Sequence, residues 1–340
     1  MDEVLPLAIT MGCPVGIGPE IILKYFAQVS GSPALPSPVV VVGDQNVLSW
    51  CSRSLDIPAS VVSWKPGGTI QKGTIPVYTP EDSKDLDCSL LEWGKPNRET
   101  GVAMAAYIKA AVSMIGDNIS VGMVTCPIAK STLNMAGYNY PGHTEMLAAL
   151  CASKNYAMML AGKTLRVTLV TIHTGLAKVS ESLSKEKIVN LIHLTRQSLQ
   201  KDFGIGSPRI GVAGLNPHAG EDGLFGNEEM EFIEPAVREV QELGWDVSGP
   251  FPPDTIFFKA VKGAFDAVVC MYHDQGLIPF KLLHFEDGVN VTIGLPIVRT
   301  SVDHGTAYDI AGQGRAVPAS LAAAVDMAST IATNRNSVKK

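Results

Sequence analysis

Short apolar runs rich in β-branched residues alternate with helical patterns along most of this 340-residue chain. That alternation is typical of parallel strands joined by crossover helices, so the sequence predicts an α/β fold. A single hydrophobic core rarely organises a chain of this length, so we expect two α/β/α lobes with a cleft between them. The predicted strands are Leu5–Thr10, Val39–Val42, Gly122–Thr125, Val167–Ile172, Ile210–Val212, Ala267–Met271 and Val289–Ile293. The predicted helices are Pro19–Ala27, Glu99–Ile115, His143–Cys151, Lys185–Gln200, Asn227–Leu243, Thr255–Lys262 and Pro318–Thr333.

One stretch departs from this alternation. Between residues 54 and 98 the helical pattern is lost, and proline and glycine separate short extended pieces. We therefore predict a small β-rich excursion there.

Charge and cysteine content limit the partners and the compartment. The net charge of −6 comes from 27 basic and 33 acidic residues, without a basic block, which argues against a nucleic-acid partner. The cysteines form no CxxC pair and are expected to be reduced, mostly buried thiols. Met1–Glu3 lacks the basic region of a signal peptide, and no apolar run approaches the roughly 18 to 20 residues of a spanning helix. We expect a cytoplasmic protein without membrane contacts.

Three histidines each follow a predicted strand: His173, His218 and His273. In parallel sheets, ligands bind at the carboxyl ends of the strands. Neutral imidazoles from separate strand ends can converge on one divalent cation, and Asp254 or Asp274 would orient or join them. Any one of these histidines could instead bond the backbone and be purely structural. The polar, glycine-flanked turns that carry all three favour a metal site.

A second set of side chains is suited to anions, and its members lie in or beside apolar segments. They are His143, Thr144, Lys281, Asn290 and Arg299. Arginine and lysine with asparagine and threonine donors bind phosphate or carboxylate, and helix amides near Thr144 would add to them. Arg299 is expected where a strand ends in a turn. Each cation taken singly is equally consistent with a solvated charge.

Two further segments contain several small residues close together in the sequence. Met11–Glu20 turns the first strand into a helix, with Pro19 suited to the first helical position. Ile21 stands where a dinucleotide-binding GxGxxG motif has its third glycine, so we interpret the segment as a tight turn. Residues 300–312 form a polar loop whose ligand the residues alone do not identify, and it would serve equally as a plain connection stopped by Gly312.

Long motifs identify the family that the sequence resembles. They are GIGPE at 16–20, PGHTE at 141–145, GLNPHAGE at 214–221, YHDQG at 272–276 and GVNVTIGLPIVRTSVDHGTA at 288–307. With them, the chain resembles the 4-hydroxythreonine-4-phosphate dehydrogenase family of pyridoxal phosphate biosynthesis over nearly its whole length. The last motif, with Asp309–Gly312, is also similar to the cofactor loop of isocitrate and isopropylmalate dehydrogenases. That similarity implies their fold and NAD as cofactor.

The resemblance implies roles for individual residues. His173, His218 and His273 would bind a divalent metal, which could be Zn, Co, Mn or Mg, and one of them would reach in from the second subunit of a homodimer. The implied substrate-binding residues are His143, Thr144, Lys281, Asn290 and Arg299. The implied NAD-binding residues are Asp303, His304, Gly305, Thr306 and Asp309. The implied domains are a cofactor-side α/β domain, 1–128 with 296–340, and an α/β domain 129–295 that carries the metal ligands and dimer contacts.

The implied reaction is NAD-dependent oxidation of a secondary alcohol, followed by loss of CO2 from the β-keto acid. The expected substrate is a small phosphorylated four-carbon hydroxy acid, 4-phosphooxy-L-threonine, and the expected product is 3-amino-2-oxopropyl phosphate. A metal would lower the pKa of the reacting hydroxyl and then polarise the new carbonyl. Lys281 or Asp254 would handle the proton, and the sequence does not decide between them.

Several alternatives stay open at this point. Cys13 and Val15 stand where the family usually has an acid and a small residue. Residues 222–226 look more like the branch that acts on D-threonate or D-erythronate 4-phosphate, and relatives also include cis-dihydrodiol dehydrogenases. A metallohydrolase would use the three histidines and an aspartate to make a zinc hydroxide without any nucleotide. A non-catalytic binding protein for phosphorylated small molecules would use the histidines structurally.

Overall fold

The computed structural model describes residues 5–29, 37–83 and 86–337. It confirms the α/β class and divides into two compact units. Unit 1 is Met1–Lys154 with Leu295–Ala332, and unit 2 is Asn155–Gly294 with Thr333–Lys340. The division into a cofactor-side domain (1–128 with 296–340) and a metal-side domain (129–295) stays a prediction. The segment Met1–Glu3, which was compared with a signal peptide, lies outside the described residues.

The strands and helices alternate along the chain. The strands are β1 (Leu7–Thr10), β2 (Val39–Val42), β3 (Val61–Ser63), β4 (Ile75–Tyr78), β5 (Gly122–Thr125), β6 (Ala157–Ala161), β7 (Arg166–Leu169), β8 (Ile210–Ala213), β9 (Val247–Phe251), β10 (Ala267–Cys270), β11 (Val289–Ile293) and β12 (Arg299–Val302). The α-helices are α1 (Gly18–Val29), α2 (Gln45–Ser54), α3 (Arg98–Gly116), α4 (Lys130–Met135), α5 (His143–Leu150), α6 (Val179–Ser182), α7 (Lys185–Lys201), α8 (Glu234–Glu242), α9 (Pro253–Val261), α10 (His273–His284) and α11 (Ala319–Ser337). A π-helical turn covers Glu229–Ile233, and 3-10 turns cover Cys88–Leu90, Leu176–Lys178 and Pro217–Gly220.

Unit 1 is built on a parallel sheet in the order β3-β4-β2-β1-β5-β12. All four residues of β1 and of β2 are buried. That burial is expected for parallel strands covered on both faces, and it explains their uninterrupted apolar sequences. The predicted β-rich excursion contributes β3 and β4, which pair in parallel next to β2.

Unit 2 has the strand order β11-β6-β7-β10-β8-β9, in which the last four strands are parallel neighbours. Its core packs Val167, Val268 and Phe280 against one another, with Ile256 from α9. All seven predicted strands and all seven predicted helices have counterparts, although several bounds shift by a few residues.

The parallel arrangement expected from the alternating pattern does not extend to β6, a strand that was not predicted and that is antiparallel to both β7 and β11. Only four residues separate β6 from β7, and the backbone N–H of Gly162 donates to the carbonyl of Leu165 at 2.9 Å. So short a connection can join only antiparallel strands. The sequence of β6, AMMLA, contains no β-branched residue, which is why strand propensity does not predict it.

Two helices of the structure, α2 and α10, are not among those predicted from the sequence. Asp44 caps α2 by accepting from the backbone N–H groups of Asn46 (2.7 Å) and Val47 (3.2 Å). No helix is predicted over α10, whose interior contains Gly276 and Pro279, two poor helix formers. A Cβ at Gly276 would lie 2.9 Å from Leu169 and 3.1 Å from the Cys270 sulfur, so close packing against β7 and β10 requires the glycine.

The expected state of the cysteines is confirmed, since all six are free and Cys13, Cys51, Cys126 and Cys270 are buried. Across the described residues, no helix combines the length and the apolar character needed to cross a bilayer.

Candidate active site

Three adjacent parallel strands of unit 2 lead to the three predicted metal ligands. The order β7-β10-β8 places β10 between the other two. His173 follows β7, His273 follows β10 and His218 follows β8. Because these strands run in the same direction and neighbours are separated by about 4.8 Å, the segments after them leave the same edge of the sheet. Asp254 follows β9, the next parallel strand.

His173 and His273 lie together. Their ring centroids are 6.1 Å apart, and both rings line a cavity of about 550 Å³ with Thr174 and Tyr272. Nδ1 of His273 lies 2.6 Å from Oδ1 of Asp274. A carboxylate on one ring nitrogen fixes the ring and leaves the other nitrogen for a metal. The sequence predicted His273 in a turn, but it is the first residue of α10.

His218 lies on a left-handed turn after β8, with φ at 55° and an exposed side chain. Its ring is 5.9 Å from that of Phe225. Asp254 is exposed in the first turn of α9, which packs against the Pro217–Gly220 turn. Among residues 5–29, 37–83 and 86–337, no group of three or more His, Cys, Asp or Glu side chains is placed to hold a metal ion within one chain.

Lys281 shares a groove with His273. The groove has a volume of about 470 Å³ and also contains Asp274, Leu277 and Leu282. His273, Leu277 and Lys281 are spaced four residues apart on α10, so they lie on one helix face. The remaining anion candidate of unit 2, Asn290, lies on β11, and its Oδ1 is buried without a hydrogen-bond partner among the described residues.

The other anion candidates meet in unit 1. Arg299 is 3% exposed and donates from one terminal nitrogen to Oγ1 of Thr125 at 2.8 Å. Arg299 is the first residue of β12, so the expectation that it lies where a strand ends in a turn is wrong. His143 and Thr144 are the first two residues of α5, whose capping residue Gly142 supplies no side-chain hydrogen bond. Backbone N–H groups at such an end, beside a buried guanidinium, favour an anion.

Burial and charge set the protonation states of this cluster. Burial lowers the pKa of His143 well below its ordinary 6.5, and the positive charge of Arg299 lowers it further. Burial lowers the pKa of Arg299 to about 10, while the carboxylate of Glu145 opposes that change. At neutral pH, His143 is therefore neutral and Arg299 is charged.

We expect the His143 ring not to titrate between pH 6 and 7 when followed by proton NMR. In the unfolded chain His143 binds a proton as the pH falls below about 6.5, whereas in the folded protein it stays neutral. Because the unfolded state then binds more protons, His143 lowers the free energy of unfolding as the pH falls below 6.5. The variant His143→Gln should lose that part of the acid sensitivity in urea unfolding. His193→Gln, a change of an exposed histidine, is the control. Ordinary titration of His143 would contradict the inferred neutral state.

The loop predicted to bind the cofactor follows β12 and is joined to the turn after β1. The backbone N–H of Ile17 donates to the carbonyl of Thr306 at 3.1 Å, and the Tyr308 hydroxyl donates to the sulfur of Cys13 at 3.3 Å. A Cβ at Gly16 would lie 3.2 Å from the same carbonyl, so the glycine permits this close approach. Asp303 donates its backbone N–H to Oγ of Ser320 at 3.1 Å.

Sequence reasoning missed two groups that hold the candidate residues. Thr125, which supports Arg299, ends an apolar strand and carries no signal beyond its position. Glu229, which contacts the segment carrying His218, was interpreted only as part of a helix, because a lone acid on a helical pattern is usually solvated. Its burial within that pattern is visible only in the structure.

Comparison with known proteins gives a consistent result. A family model described as pyridoxal phosphate biosynthetic protein PdxA matches residues 34–328. A 4-hydroxythreonine-4-phosphate dehydrogenase from Desulfosudis oleivorans is 54% identical over 95% of this chain and 94% of its own length. The enzyme of that name from Desulforapulum autotrophicum is 49% identical over 96% of this chain and 95% of its own. The crystal structure of the Klebsiella pneumoniae enzyme has a TM-score of 0.86 at 40% identity, covering 96% of this chain and 99% of that one.

Proposed function

Because this chain belongs to the pyridoxal phosphate biosynthetic protein PdxA family, we propose that it oxidises and decarboxylates 4-phosphooxy-L-threonine with NAD. The products are 3-amino-2-oxopropyl phosphate and CO2. The family predicted from the motifs is confirmed, and the expectation of a dehydrogenase is confirmed with it. The observation that carries the proposal is the arrangement of three neighbouring parallel strands that lead to His173, His273 and His218.

The donor set fits a divalent metal. Histidine and carboxylate donors together suit zinc, cobalt and manganese, and magnesium less well. The carboxylate of Asp274 beside the His273 ring is the orienting group that such a ligand usually has. His173, His218 and His273 hold this metal in the proposal. When bound, it lowers the pKa of the substrate hydroxyl and polarises the carbonyl formed on oxidation.

The anionic groups of the substrate are held by His143, Thr144, Lys281, Asn290 and Arg299. A buried, charged Arg299 offers a forked set of N–H donors that matches phosphate or carboxylate. A neutral His143 adds a neutral donor or acceptor instead of a second positive charge. The buried, unpartnered Oδ1 of Asn290 is an acceptor that a substrate N–H or O–H would satisfy.

Lys281 is the better placed of the two candidates for proton transfer. It lies in the groove that contains His273, two helical turns further along α10. Asp254 is exposed on α9 and approaches the site only through the turn of His218. Lys281 therefore serves as the catalytic residue that exchanges the hydroxyl proton, and Asp254 has only a supporting role.

NAD is held by the loop after β12, through Asp303, His304, Gly305, Thr306 and Asp309. The bonds from this loop to Ile17 and Cys13 fix its backbone before any ligand arrives. A loop fixed in this way would hold NAD, which would supply the acceptor for hydride, without first having to be ordered. Cys13, which replaces the acid usual in the family, is a buried acceptor for Tyr308 rather than a charge.

The protein acts as a homodimer with shared active sites. Ile278 and Leu282 on α10 and Phe285, which caps its C-terminus, are spaced like one helix face and are 68%, 84% and 78% exposed. An apolar face of this kind is typical of a surface that is covered by a partner. It continues the groove of His273 and Lys281, so a second subunit on this face would meet the active site.

The test is turnover by purified protein with NAD and a divalent metal, followed by the absorbance of reduced nicotinamide. We expect kcat/KM for 4-phosphooxy-L-threonine to exceed that for D-threonate 4-phosphate, D-erythronate 4-phosphate and a cis-dihydrodiol by at least about tenfold. Preference for one of these three would change the substrate within the family. Hydrolysis of a phosphate or ester without NAD would establish a metallohydrolase. Ligand binding without turnover, unaffected by chelation of metal, would establish a binding protein.

A further inference from the structure

The turn that carries His218 has a backbone that L-amino acids rarely adopt. Six consecutive residues have positive φ: His218 at 55°, Ala219 at 56°, Gly220 at 84°, Glu221 at 44°, Asp222 at 53° and Gly223 at 91°. Only glycine enters this region without a steric cost, and asparagine or aspartate with a small one. A run of this kind persists only where surrounding contacts hold it in place.

A buried carboxylate supplies such contacts. Glu229 is 1% exposed, although it follows the turn by only six residues. Its Oε1 accepts from the backbone N–H of Leu215 at 2.7 Å and of Asn216 at 2.8 Å. Its Oε2 accepts from the side-chain amide of Asn216 at 2.9 Å. Three hydrogen bonds to one buried side chain fix the segment before His218, because leaving any of these buried groups unpaired would cost free energy.

The turn also closes tightly around this carboxylate. A Cβ at Gly220 would lie 2.7 Å from Oε2 of Glu229, and a Cβ at Gly214 would lie 3.0 Å from Oε1. The amide of Asn216 also donates to Glu228 at 2.7 Å, and Oγ of Ser180 donates to Glu228 at 2.6 Å. Glu229 therefore contacts the segment on both sides of His218.

We propose that Glu229 is a positioning residue that holds the left-handed turn and so presents the His218 imidazole to the metal. This inference rests on the proposed function, in which His218 is a metal ligand. Glu229 does not touch the metal or the substrate, and it acts through the backbone of residues 214–220. It is also the first residue of the π-helical turn Glu229–Ile233, a rare element that often lies beside functional sites.

The test measures binding of Co2+ alone to metal-stripped, full-length protein, followed by its visible absorption and by calorimetry. Glu229→Gln keeps the size of the side chain but directs an amide N–H2 toward an N–H donor. We expect it to weaken Co2+ binding by about 10- to 100-fold, the usual loss when the support of a metal ligand is removed. Excess metal should restore part of kcat while the circular dichroism of the metal-free variant stays that of the wild type, so the loss does not come from unfolding. The control Glu231→Gln removes the same charge from an exposed position two residues away and should bind Co2+ as the wild type does.

His218→Ala separates the two levels of the proposal. If His218→Ala weakens Co2+ binding and Glu229→Gln does not, the positioning role is wrong and the metal set stands. If His218→Ala binds Co2+ like the wild type, the proposed metal set itself is wrong. Should Glu229→Gln fail to fold, Asn216→Ala, which leaves the carboxylate and both backbone bonds, should weaken Co2+ binding about threefold or more. Wild-type affinity in Asn216→Ala would then overturn the inference.

Discussion

Replacing His218 with alanine is expected to lower kcat by about a thousandfold or more while leaving the fold intact. In the proposed function His218 is one of three metal ligands, so its loss would remove most of the Lewis-acid assistance that oxidation and decarboxylation of the substrate would require. That assistance is worth several kcal/mol, and about 4 kcal/mol corresponds to a thousandfold in rate. The side chain is exposed, so its removal leaves no cavity in the core. Steady-state kinetics at saturating metal and a thermal melt measure the two effects.

The matched control is His193→Ala. His193 is also exposed, but it lies on α7 with its ring 5.5 Å from that of Trp245, away from the three strand ends. It should keep wild-type turnover, and both variants should sediment like the wild type. If His218→Ala retains turnover while His173→Ala and His273→Ala lose it, His218 is not part of the metal set.

The sequence predicts the three histidines of the proposed metal site but not which of their strands are neighbours. Three histidines after three strands follow directly from the motif positions. Which strands are neighbours depends on the crossovers, and β10 lies between β7 and β8 although it follows both in the chain. Only that order explains why His173 pairs with His273, which is 100 residues away, rather than with His218, which is nearer in sequence.

Where the sequence-based prediction was wrong, contacts between residues distant in the chain outweigh the local sequence preference. Helix propensity argues against α10, because Gly276 and Pro279 are poor helix formers, yet packing of Gly276 against β7 and β10 outweighs that preference. Arg299 was expected where a strand ends in a turn, because it follows the apolar residues 294–298 and precedes Thr300 and Ser301. Its partners, Thr125 and Glu145, lie far from it in the chain, so no local pattern reveals them.

Its burial makes Arg299 the second position where a large effect is expected. Arg299→Ala should raise KM for the phosphorylated hydroxy acid on the order of 100-fold, with a smaller change in kcat. A buried guanidinium binds an anion with little competition from water, and about 2.7 kcal/mol of lost binding corresponds to that factor. Arg299→Lys keeps the charge but loses the forked geometry, so its KM should lie between those of the wild type and Arg299→Ala. Arg315→Ala, a change of an exposed arginine, should leave KM unaltered.

A substrate analogue that lacks the anion held by Arg299 decides whether the effect is one of binding. If Arg299 contacts that anion, the loss in Arg299→Ala should nearly vanish for the analogue, because the wild type gains nothing from the missing group. Equal losses for both substrates, with a lowered melting temperature, would mean that Arg299 supports Thr125 and the start of α5 without touching substrate.

The pH dependence gives an independent check. The pKa of Arg299 is lowered to about 10, so the difference in KM between the wild type and Arg299→Ala should shrink as the pH rises through that value. Arg299→Lys should lose its advantage over Arg299→Ala at a lower pH, since a buried ammonium gives up its proton more readily than a guanidinium.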